Sequence, residues 1–520
     1  MKKSNSHIIL RNTLYNFIGQ FWVLCLGIIT TPYIIKRLGT DVYGILSIVM
    51  VVTAYFGILG FGLSDALIKY ISEYYAKKNY ELVGKVIGNG IFIYSLMGLL
   101  GSALIFSFTN LLVTKVLHIP GHLMSLSYFV FYICALIFLI DMPAVVFGVI
   151  PAALQRFDIV NKMQILIVTT RTIATVFLLY MGLFLREIVI LNLCMSLIAI
   201  LAYLVIARRL LPGLKFRFIF NANIFIKLSR FGAFNFLTQI ACQVVFQIDK
   251  LLIAIFLSLS SITYYMVPYS LSNSLITVTS SLQNAIFPLV SGLTDTDNHA
   301  FFKKLYIQSI KFNALIAIPL ATCLFIFAKP ILFFWMGKDF VSNSAAVLRI
   351  LSVSYLITTF SGVPSAVIYG VGRPNITAIF AWISAVISLS CALLLIPHYG
   401  IKGPALALFI NALLTVPLFI WYISRNIIHM YVLDLFKKSI LKPLCAGFII
   451  SIIFHYFNAY IKNLFTLLFV ICLALLSYFM ICCLIGVWDV QEKQAIRLYV
   501  SSLLKDFSSK FNFSRKENSH

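Results

Sequence analysis

Asn235, Gln239, Gln243 and Gln247 recur every four residues inside an apolar stretch, and Lys250 follows within a turn. Four-residue steps advance a helix by about 400°, so the four amides drift roughly 120° around the axis and Lys250 falls near the middle of that arc. A fainter copy, Asn12, Asn16 and Gln20, opens the chain, in similar wording: Asn16-Phe17-Ile18-Gly19-Gln20 against Asn235-Phe236-Leu237-Thr238-Gln239. Amides on a membrane helix either hydrogen-bond neighbouring helices, at about 1 kcal/mol each, or line a wet cavity. Two matched rows exceed what gluing needs, which favours a cavity with Lys250 as its cation. The alternative for Lys250 is snorkelling to the headgroups near its helix end.

Two more ionisable residues fall within apolar segments. Arg171, flanked by Thr169, Thr170 and Thr172, lies as far after a turn centred near Arg156 as Asp141 lies before it, so an antiparallel hairpin would place both at one depth. An intramembrane arginine costs about 2.5 to 3.5 kcal/mol on insertion scales and normally faces protein or water. The two readings are a structural Asp141–Arg171 salt bridge and an anion ligand, Arg171, that Asp141 holds or releases. Asp249 and Lys250 are about 100° apart on their helix; Asp249 is expected to have a structural or Lys-pairing role, and Asp141 and Asp249 are the only candidates for proton or sodium coupling. Asn273, Thr277, Ser280, Ser281 and Asn284 add hydroxyls and amides at helical spacing on the next helix.

The elements that carry these residues follow from composition. With 61% hydrophobic and 11% charged residues and a mean hydropathy of +0.99, the chain is an all-α polytopic membrane protein. Fourteen stretches can each cross a core of roughly 30 Å: 12–34, 43–64, 85–108, 125–150, 162–183, 187–207, 228–257, 262–290, 306–327, 343–369, 375–396, 403–424, 438–460 and 463–486. Asn16 and Gln20 inside the first run, with no small-residue cleavage site after it, mark a retained helix rather than a signal peptide.

The formal charge of +24 is placed by the positive-inside rule, not by nucleic acid. With the N-terminus cytoplasmic, about 29 of the 40 Lys and Arg fall on the inner side. The ten cysteines sit in apolar segments without CxxC spacing and read as small buried hydrophobes. No GxxxxGK[ST] loop is present, so the chain is not expected to hydrolyse ATP. His118, His122, His398 and His455 are scattered without metal-ligand spacing, and neither a metal, a cofactor nor a catalytic site is expected.

The second stripe begins six helices after the first, which makes the halves parallel repeats about an axis along the membrane normal. Residues 1–215 form the expected N-lobe, 216–430 the C-lobe, 431–486 two further helices and 487–520 a basic cytoplasmic tail. In that tail Ile496, Val500, Leu503, Leu504 and Phe507 follow helical spacing, as an amphipathic helix on anionic lipid would. A second correspondence pairs Pro151 to Asn161 with Pro364 to Asn375.

The run from Asn16 to Tyr75, with Pro32, Leu38-Gly39, Tyr43-Gly44 and the segment Gly60 to Tyr75, resembles the start of bacterial polysaccharide flippases, and Gln247-Ile248-Asp249-Lys250-Leu251-Leu252 is similar to the opening of their second half. These are O-antigen and capsule repeat-unit exporters of the multidrug/oligosaccharidyl-lipid/polysaccharide exporter superfamily. The resemblance implies two six-helix lobes around a central cavity that opens alternately to either side of the bacterial inner membrane and moves an undecaprenyl-diphosphate-linked oligosaccharide outward. It also implies a cationic cavity, which Arg171 and Lys250 fit, and partners such as a polysaccharide polymerase. Three rivals remain: a lipid II flippase, a cation-coupled drug antiporter, whose cavity usually carries carboxylates, and a membrane glycan polymerase or ligase, which needs a larger outward loop than Thr109 to Leu123.

Overall fold

The computed structural model describes residues 2–57, 60, 62–117, 119–214, 220–291 and 299–488, with side chains of 2–18, 230–235, 281–291 and 299–301 excepted. Among the described residues there is no strand. The helices are α1 (Lys2–Leu38), α2 (Thr40–Gly57), α3 (Leu63–Ala76), α4 (Tyr80–Leu111), α5 (Gly121–Ala153), α6 (Phe157–Tyr180), α7 (Leu185–Leu210), α8 (Ala222–Phe256), α9 (Leu259–Ser291), α10 (His299–Ile326), α11 (Ala328–Met336), α12 (Lys338–Thr359), α13 (Gly362–Gly370), α14 (Pro374–Tyr399), α15 (Lys402–Asn426), α16 (Val432–Leu435), α17 (Lys442–Phe457) and α18 (Leu464–Leu484). Thirteen described segments are long and apolar enough to cross a membrane, and α9, at 33 residues, is also long enough. The chain is a multi-pass all-α membrane protein.

The second expected span is broken. α2 ends at Gly57 and helix resumes at Leu63 after Gly62, whose φ of 89° favours glycine. The carbonyl of Gly60, freed by the break, accepts from the buried Tyr94 hydroxyl at 2.7 Å, which satisfies a group that lipid could not. α3 then packs on α4, α5 and α8.

Packing follows the two halves of the chain, with bridges at both ends. α4, α5 and α7 pack together, as do α8, α14 and α15, while α17 and α18 lean on α10. Where α1 ends and α2 begins, the first half meets α9 and α11: the Thr263 hydroxyl donates to the Thr40 carbonyl at 2.7 Å, and Trp335 Nε1 donates to the Ile28 carbonyl at 2.7 Å. Gly44 lies so close to α9 that a Cβ there would collide with the Leu259 carbonyl oxygen. At the opposite end the Asn221 amide donates to the buried Asn89 Oδ1 at 2.9 Å, and Lys227 donates to the Tyr74 hydroxyl at 2.8 Å with its charge 4.6 Å from the Tyr70 ring centre.

The two halves share a turn. Gln155 (φ 57°) and Gly372 (φ 75°) are left-handed, and the amides of Arg156 and Arg373 return to the carbonyls of Pro151 and Ile368, five residues back, before α6 and α14 begin. Both are Schellman-type helix ends. Their register equates Arg156 with Arg373, so the correspondence anchored on Pro151 and Pro364 is correct in place but shifted by one helical turn. The tail residues Ile496 to Phe507 lie outside the described residues.

Candidate functional site

On α8 the side chains of Gln239, Gln243 and Gln247 are all half-buried, as is Gln20 on α1. None of the four makes a side-chain hydrogen bond to another described residue. Amides that glued helices together would be paired, so the interhelical-glue reading does not describe these four. α1 lies along α6, and α8 along α14, and α1 and α8 do not pack along each other among the described residues. Asn16 and Asn235 fall on the same two helices, but their side chains lie outside the described residues, as do those of Ser281 and Asn284.

The first stripe's helix is held tightly against α6. A Cβ at Gly19 would come within 2.8 Å of Asn161 Oδ1, and Trp22 Nε1 donates to Thr169 Oγ1 at 2.8 Å. Arg171, two residues beyond Thr169, is half-buried; its Nε is buried without a hydrogen-bond partner. Of the two readings of Asp141 and Arg171, the salt bridge is not formed among the described residues: the pair lies within electrostatic reach but is absent from the ion pairs. Adjacency in the chain misleads here, because α6 packs far more extensively on α1 than on α5. The arrangement leaves Arg171, on the helix that packs along α1, as a guanidinium whose Nε has no partner among the described residues.

Lys250 is not free. It is 1% exposed and Asp249 2%; the ammonium donates to the Phe246 carbonyl, sits 3.3 Å from Asp249 Oδ1 and lies 3.6 Å from the centre of the Tyr269 ring. Asp249 also accepts from the Tyr265 hydroxyl at 2.5 Å and from the Lys250 amide at 2.8 Å. Tyr269 packs edge-on against Tyr355 of α12 at 5.9 Å. The expectation of a cavity-facing Lys250 is therefore corrected for this conformation, while the pairing role considered for Asp249 describes the geometry. Neighbouring residues on one helix can pair because the long lysine side chain bends back over the short aspartate, which angular separation alone does not show.

Two features escaped the sequence reading. Arg349 lies well inside α12, half-buried, with its Nε buried and unpartnered; an arginine only two turns inside the expected span passes for a flank. A cavity of about 180 Å³ inside the second half is walled by α8 and α12 to α15. Its lining is neutral; Ser354, Thr358, Ser384, Asn411 and Thr415 bond their own or adjacent helices, a spacing that resembles ordinary helix packing, while the Tyr355 and Thr377 hydroxyls are buried without a partner among the described residues. Among the described residues no cluster of His, Cys, Asp or Glu has the spacing of a metal site.

The fold sets two bundles, bridged at their ends, with amides and a guanidinium on membrane helices. Residues 9–294 match the family model described as "Polysaccharide biosynthesis protein", and the chain belongs to that family. Residues 235–394 also match the MatE model. The chain is 22% identical over 429 residues to the "Putative O-antigen transporter" of Shigella flexneri, covering 80% of this chain and 98% of that protein. It is 31% identical over 150 residues, 27% of this chain and 28% of that one, to the "Probable lipid II flippase MurJ" of Bdellovibrio bacteriovorus. Among solved structures, "Lipid II flippase MurJ, inward closed conformation" superposes with a TM-score of 0.75 at 15% identity, covering 92% of this chain and 99% of that one. An inward-facing multidrug resistance MATE family transporter of the MOP superfamily gives 0.62 at 16% identity, covering 82% and 96%.

Proposed function

We propose that this chain is a flippase that carries a lipid-linked oligosaccharide, on an undecaprenyl diphosphate carrier, from the inner to the outer leaflet of a bacterial inner membrane by alternating access. The observation that carries this reading is the row Gln239, Gln243 and Gln247, half-buried in a membrane helix with no hydrogen-bond partner among the described residues, beside membership of a polysaccharide biosynthesis family and similarity to an O-antigen transporter. Unpaired amides suit sugar hydroxyls, and a guanidinium suits a diphosphate, to which its planar fork can donate two parallel hydrogen bonds.

In this reading residues 1–215 and 216–430 are the two lobes, 431–486 the added helices, and both termini are cytoplasmic. Arg171, with Asn16, Gln20, Asn235, Gln239, Gln243 and Gln247, contacts the substrate. Lys250 and Asp249, sealed in this conformation, hold α8 to α9 through Tyr265 instead of touching the headgroup. The local match to a lipid II flippase supports a second substrate of the same chemistry, an undecaprenyl-linked peptidoglycan precursor.

The test is the leaflet location and polymer state of lipid-linked glycan in cells lacking the protein, read by mass spectrometry with an outside-only glycan label. Unlabelled repeat units retained in the inner leaflet support the reading, and retained lipid II transfers it to peptidoglycan. Labelled but unpolymerised units outside overturn it in favour of a polymerase or ligase.

A further inference from the structure

Arg349 lies about 16 Å along α12 from its first residue, and its guanidinium makes no ion pair or hydrogen bond with any described residue. Its Nε is buried and unpartnered among the described residues, and the guanidinium carbon lies over the Phe325 ring at 5.9 Å. A guanidinium at this depth is costly without an anion.

Phe325 has a second role. It walls an apolar groove of about 660 Å³ between α10, α12 and α17, whose other walls include Ile318, Val353, Leu356 and Gly447. Arg349, Val353 and Leu356 are spaced four and three residues apart and share one face of α12, so the cation stands at one end of the groove and the apolar wall runs on from it. The groove opens to lipid: Phe325 is 41% exposed and Phe448, on its rim, 68%. Gly447 lets α17 approach Ile318 closely, since a Cβ there would collide with its side chain. The slot is thus cationic at one end and apolar along about 10 Å of α10 from Phe325 to Ile318.

We propose that this slot holds a resident anionic glycerophospholipid, its phosphate on Arg349 and an acyl chain along the α10–α12–α17 groove. The cation lies toward the end at which α10 and α17 finish, where Asn458 donates to the Ile326 carbonyl at 3.3 Å. In the orientation proposed above that end faces the outer leaflet, and the groove descends from it as an outer-leaflet chain does. The lipid supplies the missing anion and adds a link between α12 and α17 to the direct packing of α17 on α10.

The full chain is purified in detergent, and native mass spectrometry reads retention of added phosphatidylglycerol, phosphatidylethanolamine or undecaprenyl phosphate. One phosphatidylglycerol is expected to persist under activation that strips phosphatidylethanolamine. Arg349→Gln is expected to weaken its retention about tenfold or more, the loss of charge-assisted hydrogen bonds, while Arg349→Lys retains most of it. Cys445→Trp, which fills the groove and leaves the charge, also removes the lipid. Equal retention by Arg349→Gln and the parent, or equal retention of phosphatidylethanolamine, overturns the site. Displacement of phosphatidylglycerol by undecaprenyl phosphate overturns the resident lipid and assigns the groove to a polyprenyl carrier. Binding is read on purified protein, so the result is independent of what the chain transports.

Discussion

Removing the Lys250 ammonium leaves the Asp249 carboxylate 2% exposed in low dielectric. Breaking a buried pair by deleting one partner costs about 3 to 5 kcal/mol. Asp249 keeps two hydrogen bonds, from Tyr265 at 2.5 Å and the Lys250 amide at 2.8 Å, which places Lys250→Met toward the lower figure. Asp249→Asn is the converse: it leaves an ammonium whose remaining partners are the Phe246 carbonyl and the Tyr269 ring, and it weakens the Tyr265 bond as well. The double variant Asp249→Asn/Lys250→Met has no buried charge, so it is expected to be more stable than either single, with a coupling energy of about 2 kcal/mol or more. The assay is SDS-induced unfolding of the purified protein from mixed micelles, with export measured in parallel. Additive losses across the cycle, or a Lys250→Met protein as stable as the parent and deficient only in export, would refute the sealed-pair account and return Lys250 to the cavity.

Other outcomes follow from the same geometry. Gln243→Leu has no hydrogen bond to lose among the described residues, so the variant should unfold at the parental SDS concentration while exporting at a rate lowered several-fold. Arg171→Gln should accumulate normally and lose most export; Asp141→Asn should leave accumulation unchanged because no ion pair joins the two, and shared misfolding of both variants would restore the salt bridge. Gly44→Val should block closure where α2 meets α9 and abolish turnover in a proteoliposome assay without preventing insertion. The Tyr74 hydroxyl raises the Lys227 pKa above the usual 10.5, and a raised folded value stabilises below the unfolded pKa and is lost as pH rises through the folded one. The thermal-shift difference between the parent and Tyr74→Phe should thus be constant from about pH 6 to 9 and shrink above about 10.5.

The membrane spans were legible because apolar runs of bilayer length have few alternatives, whereas contacts between spans were not. Gly62 and the break before α3 sit inside what reads as one apolar run, and only the Tyr94 bond to Gly60 shows why the helix stops. The symmetric spacing of Asp141 and Arg171 about a turn is genuine, but a hairpin in sequence need not be a packed pair in space. The half-buried, unpaired glutamines followed from period and composition, while the burial of Lys250 depends on α9 and α12, whose tyrosines carry no helical signature in a chain with 26 of them.

Where α1 and α2 meet α9 and α11, the acceptors are main-chain carbonyls: Thr40 for Thr263, Ile28 for Trp335, with the Leu259 carbonyl pressed on Gly44. A carbonyl is supplied by every residue type, so half of each contact is indifferent to mutation. The junction can therefore tolerate substitution at Thr40, Ile28 and Leu259 provided the donors Thr263 and Trp335 and the small residue Gly44 are kept.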